Sequence, residues 1–263
     1  MPTYCVSDLH LCDRGPRDNF CFEGREERFH RFLDFVENNH GRLFILGDLF
    51  DWWQVPVGAA IMAYRPLLDR LGGMGATWIV GNHDNALSPL IGTALMPDHP
   101  FLQAACRPFE EIIGGRKIAY LHGHEADPYC CDLNPGTGEI TSIISGMLED
   151  RNKGPFNRHR HAVEDEFVGT LEGALTLWRK LTFQNGRQEE MVNGVEQYRQ
   201  NQKADVVVYG HTHEPGRIGD YHFNTGCWAR QRDTFVCIDD TGKASVWEWP
   251  SDWGPVPFDV KLR

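Results

Sequence analysis

Five short apolar runs, each ending abruptly in a polar cluster, constrain this chain more than any other feature. The runs are Tyr4-Cys5-Val6, Leu43-Phe44-Ile45-Leu46, Thr77-Trp78-Ile79-Val80, Ile118-Ala119-Tyr120-Leu121 and Val206-Val207-Val208-Tyr209. Their length and their β-branched and aromatic content suit buried strands. The clusters that follow are Ser7-Asp8-Leu9-His10, Gly47-Asp48, Gly81-Asn82-His83-Asp84, His122-Gly123-His124 and Gly210-His211-Thr212-His213. In α/β sheets, ligands gather beyond the carboxyl ends of strands. Five strands delivering such residues at the same end would build one site.

The stretches between the runs set the fold class. Phe29, Phe32, Leu33 and Val36 follow i, i+3, i+4, i+7 spacing with charged residues between them, which predicts a helix over about 25–39. Residues 59–71 suit a second helix, with Pro66 marking a kink. Helices alternating with strands favour an α/β architecture. Short strand candidates at 221–224, 234–238 and 243–249, with a hairpin turn at Asp240-Thr241-Gly242, suggest an antiparallel edge. Residues 126–203 interrupt the series. They hold a basic patch (Arg151, Lys153, Arg158, His159, Arg160, His161) and a helical pattern over roughly 162–182. We read this segment as an inserted helical lid or cap within a single domain spanning 1–263.

Composition narrows the partners. The net charge of −11 makes nucleic acid a disfavoured bulk partner, because an acidic surface repels a phosphate backbone. No charged region precedes a long apolar stretch at the start, and no apolar run approaches the roughly 20 residues that span a bilayer. The eight cysteines lack a repeated Cys-x-x-Cys spacing and read as reduced thiols of a cytoplasmic protein. Oligomeric state stays open, as does a peripheral membrane contact through aromatic residues of the insertion.

The strand-end residues share one chemistry. Asp8, His10, Asp48, Asn82, His122, His211 and His213 are all oxygen or nitrogen donors. Two divalent ions held close together need a bridging carboxylate with carboxylate, imidazole and amide donors around it. Asp48 is the natural bridge, following a glycine that permits close approach. Asp8 and His10 are two apart, so an extended segment would project both to one side; His211 and His213 share that spacing. Each piece alone is a weak signal, and the five in order are a strong one. Arg14 and Arg17, in the loop after the first motif, could grip a phosphate, although solvated loop arginines are commoner.

The order Asp8-x-His10, Gly47-Asp48-x-x-Asp51, Gly81-Asn82-His83-Asp84, His122 and Gly210-His211-x-His213 resembles the calcineurin-like metallophosphoesterase superfamily. The resemblance implies a four-layer αββα sandwich. It implies one metal on Asp8, His10, Asp48 and His213 and a second on Asp48, Asn82, His122 and His211. It further implies two divalent ions, manganese by preference with zinc or iron as alternatives, and hydrolysis of a phosphate ester or pyrophosphate by metal-activated hydroxide. His83 would be the catalytic histidine and Asp51 the residue orienting it. Asp84 reads as a support for the turn, and His124 as a support for the ligands.

Asp8-Leu9-His10-Leu11 and Leu43 to Trp53, with Asn224-Thr225-Gly226-Cys227-Trp228, are similar to the branch of UDP-2,3-diacylglucosamine hydrolases, whose helical insertion covers acyl chains. Two positions depart from that branch: His83 stands where arginine is typical, and His124 where aspartate is usual. The expected substrate is a phosphorylated small molecule or a lipid-linked phosphate. A phosphoprotein phosphatase, a nuclease and a non-catalytic scaffold are the competing readings, the scaffold ranking lowest because every expected ligand is present.

Overall fold

A computed structural model of the chain describes residues 1–127, 187–229, 232–250 and 254–262. Its framework is two sheets. In the first, β1 (Thr3–Val6), β2 (Arg42–Leu46), β3 (Thr77–Ile79) and β4 (Ala105–Cys106) are parallel neighbours. β10 (Thr234–Ile238), β11 (Ala244–Glu248) and β12 (Val256–Pro257) extend it antiparallel beyond β1. The second sheet has the order β5 (Phe109–Ile113), β6 (Arg116–Tyr120), β7 (Val206–Tyr209), β9 (His222–Asn224) and β8 (Gly216–Ile218). Its three inner strands are parallel, and its two edges are antiparallel.

Side-chain alternation along the strands builds the layers, because successive residues point to opposite faces. Cys5, Phe44 and Leu46 face Ile118, Tyr120, Val206 and Val208 in a core between the sheets. Their neighbours Tyr4, Val6, Leu43 and Ile45 face the other way, onto helices α1 (Arg25–Asn38) and α3 (Arg65–Gly73). On the far sheet, Val207 and Tyr209 meet Met191 and Val195 of the helix Arg187–Gln202. The result is the expected αββα sandwich. The apolar stripe of α1 is the one read from the sequence, with Phe29, Phe32, Leu33 and Val36 all buried.

Two expectations change in detail. The helix expected over 59–71 is two helices, α2 (Val57–Ala63) and α3, broken at Tyr64. Pro66 sits in the first turn of α3, where its missing N–H has no intrahelical partner to lose. The C-terminal strand candidates also divide between the sheets: 222–224 joins the second, and only 234–238 and 244–248 form the antiparallel extension of the first. Much of the insertion lies outside the described residues, including its basic patch, the 162–182 helical pattern, Cys130 and Cys131. The six described cysteines are free thiols.

Candidate metal centre

The site forms where the carboxyl ends of β1, β2 and β3 meet those of β6 and β7. The parallel pairing of β1 and β2 continues past both strands. The Asp8 amide donates to Gly47 O at 3.1 Å, the His10 amide to Asp48 O at 3.0 Å and the Asp51 amide to Leu11 O at 3.0 Å. Two motifs therefore run side by side. The chain is not extended there, however. Asp8, His10, Asp48, His211 and His213 have φ of 55°, 50°, 48°, 69° and 60°, a left-handed region that side-chain-bearing residues seldom adopt. The extended geometry expected for Asp8/His10 and His211/His213 is thus replaced by tight turns, which still bring the side chains together. Such backbone costs about 1–3 kcal/mol per residue and persists where the surroundings over-determine it.

Close packing requires glycine at two points. A Cβ on Gly81 would strike the Asp48 carboxylate, and one on Gly47 would strike the His122 ring. Asp84 ties these loops together: Oδ1 accepts from the Gly81 amide at 2.5 Å, and Oδ2 from the Leu49 and Phe50 amides at 2.8 and 3.3 Å. Burial, then the nearby Asp48 charge, raises its pKa to about 7. This is the supporting role expected of it.

The donor atoms gather in two groups, with a third, of His10, Asp48 and His83, overlapping both of their edges. His213 Nε2 lies 3.1 Å from Asp8 Oδ1 and 3.0 Å from His10 Nε2. His122 Nε2 lies 3.2 Å from Asp48 Oδ2 and 3.0 Å from Asn82 Oδ1. Ligand atoms of Asp8, His10 and His213 lie within 4.8 Å of one another, as do those of Asp48, His122 and His211. Asp8 Oδ1 and His10 Nδ1 are buried without a hydrogen bond. A buried carboxylate oxygen surrounded by imidazole nitrogens at these spacings calls for a cation, so the donor set fits divalent metal ions.

Electrostatics agree. Burial pushes the carboxyls of Asp8 and Asp48 up, yet the surrounding imidazoles outweigh it and hold both well below the usual carboxylate range. Burial likewise pulls His10 and His122 down, and the carboxylates more than reverse it, raising His10 to about 8 and His122 to about 10.

His83 stands at the edge of this cluster. Its amide donates to Asp48 Oδ1 at 2.9 Å, and its Nδ1 lies 2.9 Å from Asp51 Oδ1. Its Nε2 lies 3.9 Å from Asp48 Oδ2. Trp53 covers the ring, with centroids 3.8 Å apart. His124 is buried, its ring 5.4 Å from that of His122. Arg14 and Arg17 are committed elsewhere: Arg14 makes a two-pronged pair with Glu26, and Arg17 donates to Gln54 O at 3.1 Å. The phosphate grip considered for them has no support in these contacts.

Two contacts were not legible in the sequence. Trp53 lay inside a motif with nothing to mark its stacking on His83. Asp127 was unmarked altogether. It is buried, and its Oδ2 lies 2.8 Å from His211 Nε2, which leaves His211 Nδ1 as the nitrogen available to an ion. Carboxylates in this position fix the orientation of a ligating imidazole.

The family model described as calcineurin-like phosphoesterase matches residues 1–215. A UDP-2,3-diacylglucosamine hydrolase of Aliivibrio fischeri (strain MJ11) is 24% identical over 230 residues, covering 82% of this chain and 83% of that protein. One of Escherichia coli O157:H7 is 25% identical over 230 residues with the same coverage. Among solved structures, a dimetal phosphatase from Danio rerio aligns with a TM-score of 0.51 at 12% identity, over 100% of this chain and 99% of that one. That last likeness is one of fold.

Proposed function

Because this chain belongs to the calcineurin-like phosphoesterase family, we propose that its two donor groups hold two divalent ions bridged by Asp48, with His83 as the catalytic histidine. The chain is a metal-dependent hydrolase of phosphate ester or pyrophosphate bonds. One observation carries the residue assignment: Asp48 Oδ2 lies 3.2 Å from His122 Nε2 and 4.0 Å from His10 Nε2, so a single carboxylate oxygen reaches both groups. Asp8, His10 and His213 complete one site in this reading, and Asn82, His122 and His211 the other. Manganese suits this mixed oxygen and nitrogen set, as do zinc and iron.

Divalent ions at such a centre supply Lewis acidity, polarising phosphoryl oxygens and lowering the pKa of water. The chain's own residues do the rest. Asp51 accepts from His83 Nδ1–H and fixes the ring's orientation, leaving Nε2 to stabilise phosphoryl charge or to serve the leaving oxygen. Trp53 holds the ring plane. Burial of Asp48 and His122 keeps bulk water from competing for the donors.

The substrate in this proposal is a phosphorylated small molecule or a lipid-linked phosphate. A UDP-2,3-diacylglucosamine pyrophosphatase activity is the second reading, favoured by the names of the relatives. His83 and His124 weigh against it as departures from that branch. Within residues 126–203, between the fourth and fifth motifs, we propose a lid formed by the part that excludes Asp127, which meets His211, and the helix Arg187–Gln202, which packs on the second sheet; deleting 140–190 should change substrate range and leave metal binding intact. We place the protein in the cytoplasm, which the free thiols of the described cysteines favour. No described helix is long and apolar enough to cross a membrane.

The test is manganese-dependent hydrolysis of UDP-2,3-diacylglucosamine, a simple phosphodiester and a phosphomonoester under identical conditions. Metal-dependent turnover of any of them supports the hydrolase, and the preferred one assigns the class. Stoichiometric metal with no turnover of any would move the chain to the scaffold reading.

A further inference from the structure

A cavity of about 810 Å³ opens beside His213, between the start of α1 and the segment leading into β10. Three arginines line it, Arg25, Arg28 and Arg232, together with Glu23 and Cys227. Three guanidinium groups gather around one cavity in a chain whose net charge is −11.

Two of the arginines are set in place from below. Asp233 is buried; its Oδ2 accepts from Arg28 Nε at 2.6 Å, and its Oδ1 lies 4.0 Å from Arg25 Nε. Arg25 also donates to Asn19 O at 2.7 Å and to Glu23 Oε2 at 2.8 Å. Arg28 Nη1 donates to Glu23 O at 2.6 Å. Arg28 Nη2 makes no hydrogen bond among the described residues and remains as a donor for a ligand. Arg232 is mostly exposed; Glu248 Oε2 lies 3.7 Å from its Nη1 and the Phe258 ring centroid 5.3 Å from its guanidinium carbon, neither contact using up its N–H donors. Against three positive charges stand Glu23, Asp233 and Glu248, so what the cavity offers is guanidinium donors rather than a net positive charge.

We propose that this cavity is a subsite for a phosphate group of the substrate other than the one hydrolysed, gripped by Arg28 and Arg232. The inference rests on the metal centre being the hydrolytic site, since His213 is the wall the two share. A guanidinium N–H held in place donates a charge-assisted hydrogen bond to phosphate, and two such groups on one cavity can grip the same anion. Arg25 is a positioning residue, holding the cavity rim through Asn19 and Glu23. The substrates this selects carry two phosphates, either in one pyrophosphate or apart on one molecule.

Two measurements on the full chain test this. The first is calorimetric titration of inorganic phosphate into chelator-treated protein, for wild type, Arg28→Gln and Arg232→Gln, with circular dichroism confirming the fold. Phosphate should bind wild type and bind each variant at least tenfold more weakly. Arg232 is exposed, so its variant keeps the comparison valid if Arg28→Gln fails to fold. The second is kcat/KM of the manganese-loaded enzyme on ADP-ribose and on p-nitrophenyl phosphate. Each variant should lose at least tenfold more on ADP-ribose than on the simple ester, through KM. Equal losses on both substrates, or phosphate binding indifferent to both arginines, overturn the subsite while leaving the hydrolase standing. Arginine-dependent phosphate binding in a chain that hydrolyses nothing would leave an anion site but overturn its assignment as a substrate subsite, together with the hydrolytic reading.

Discussion

His83 and Asp51 meet side chain to side chain, Nδ1 to Oδ1 at 2.9 Å, with both groups at the rim of the metal centre. Burial pushes the Asp51 carboxyl up, but the imidazoles of His83 and His10 hold it below the usual range, so it stays ionised beside the ring. His83→Ala should keep its metal and lose turnover by roughly 10²–10⁴-fold, the scale of a general acid. Asp51→Asn should give part of that loss. Metal analysis with steady-state kinetics checks both, and unchanged turnover in His83→Ala would remove it from the mechanism.

Asp127 predicts a selective effect on one ion. Its contact with His211 is the only one described that fixes this imidazole's tautomer from outside the donor groups. Asp127→Asn should weaken metal affinity by about 10–100-fold, the usual cost of losing such a partner. The loss should fall on the ion held by Asn82, His122 and His211. Competition titration with a metal-binding dye would resolve two classes of site in the variant. Identical curves for variant and wild type would make Asp127 a structural carboxylate only.

Metal uptake should release protons. In the metal-free chain His10, raised to about 8, and His122, raised to about 10, are both charged at pH 7. Binding a cation requires neutral imidazoles, so affinity should rise with pH from 7 toward 10. The sign for the metal-free fold is opposite. These raised values stabilise it fully below about pH 6.5, and that contribution is lost as pH rises through 8 and then 10. Calorimetry in two buffers of different ionisation enthalpy counts the protons; none released at pH 7 would contradict the charged state assigned here.

The sequence made much of this legible because the fold delivers these donor residues at strand ends. Each apolar run became a strand, and Asp8, His10, Asp48, Asn82, His122, His211 and His213 converge as expected. What escaped was set by contacts distant in sequence or by backbone that residue spacing does not encode. Asp127 reaches His211 across 84 residues, after a one-turn helix at His124–Ala126 redirects the chain. The left-handed turns at five of these donor residues leave no periodic mark. β5 carries Glu110 and Glu111 between its apolar residues and blurs its own alternation. For Arg14 and Arg17 a phosphate grip was weighed against the commoner solvated loop arginine, and their actual partners, Glu26 and Gln54, lie too far along the chain for residue spacing to reveal.

The central claim is that one carboxylate serves two ions, and metal content per chain tests it most directly. Wild-type protein loaded with manganese and freed of excess should hold two ions. Asp48→Asn, folded by circular dichroism, should hold fewer than one, because both donor groups lose their shared charge. Two ions retained in that variant would contradict the bridge and the account of the site built on it.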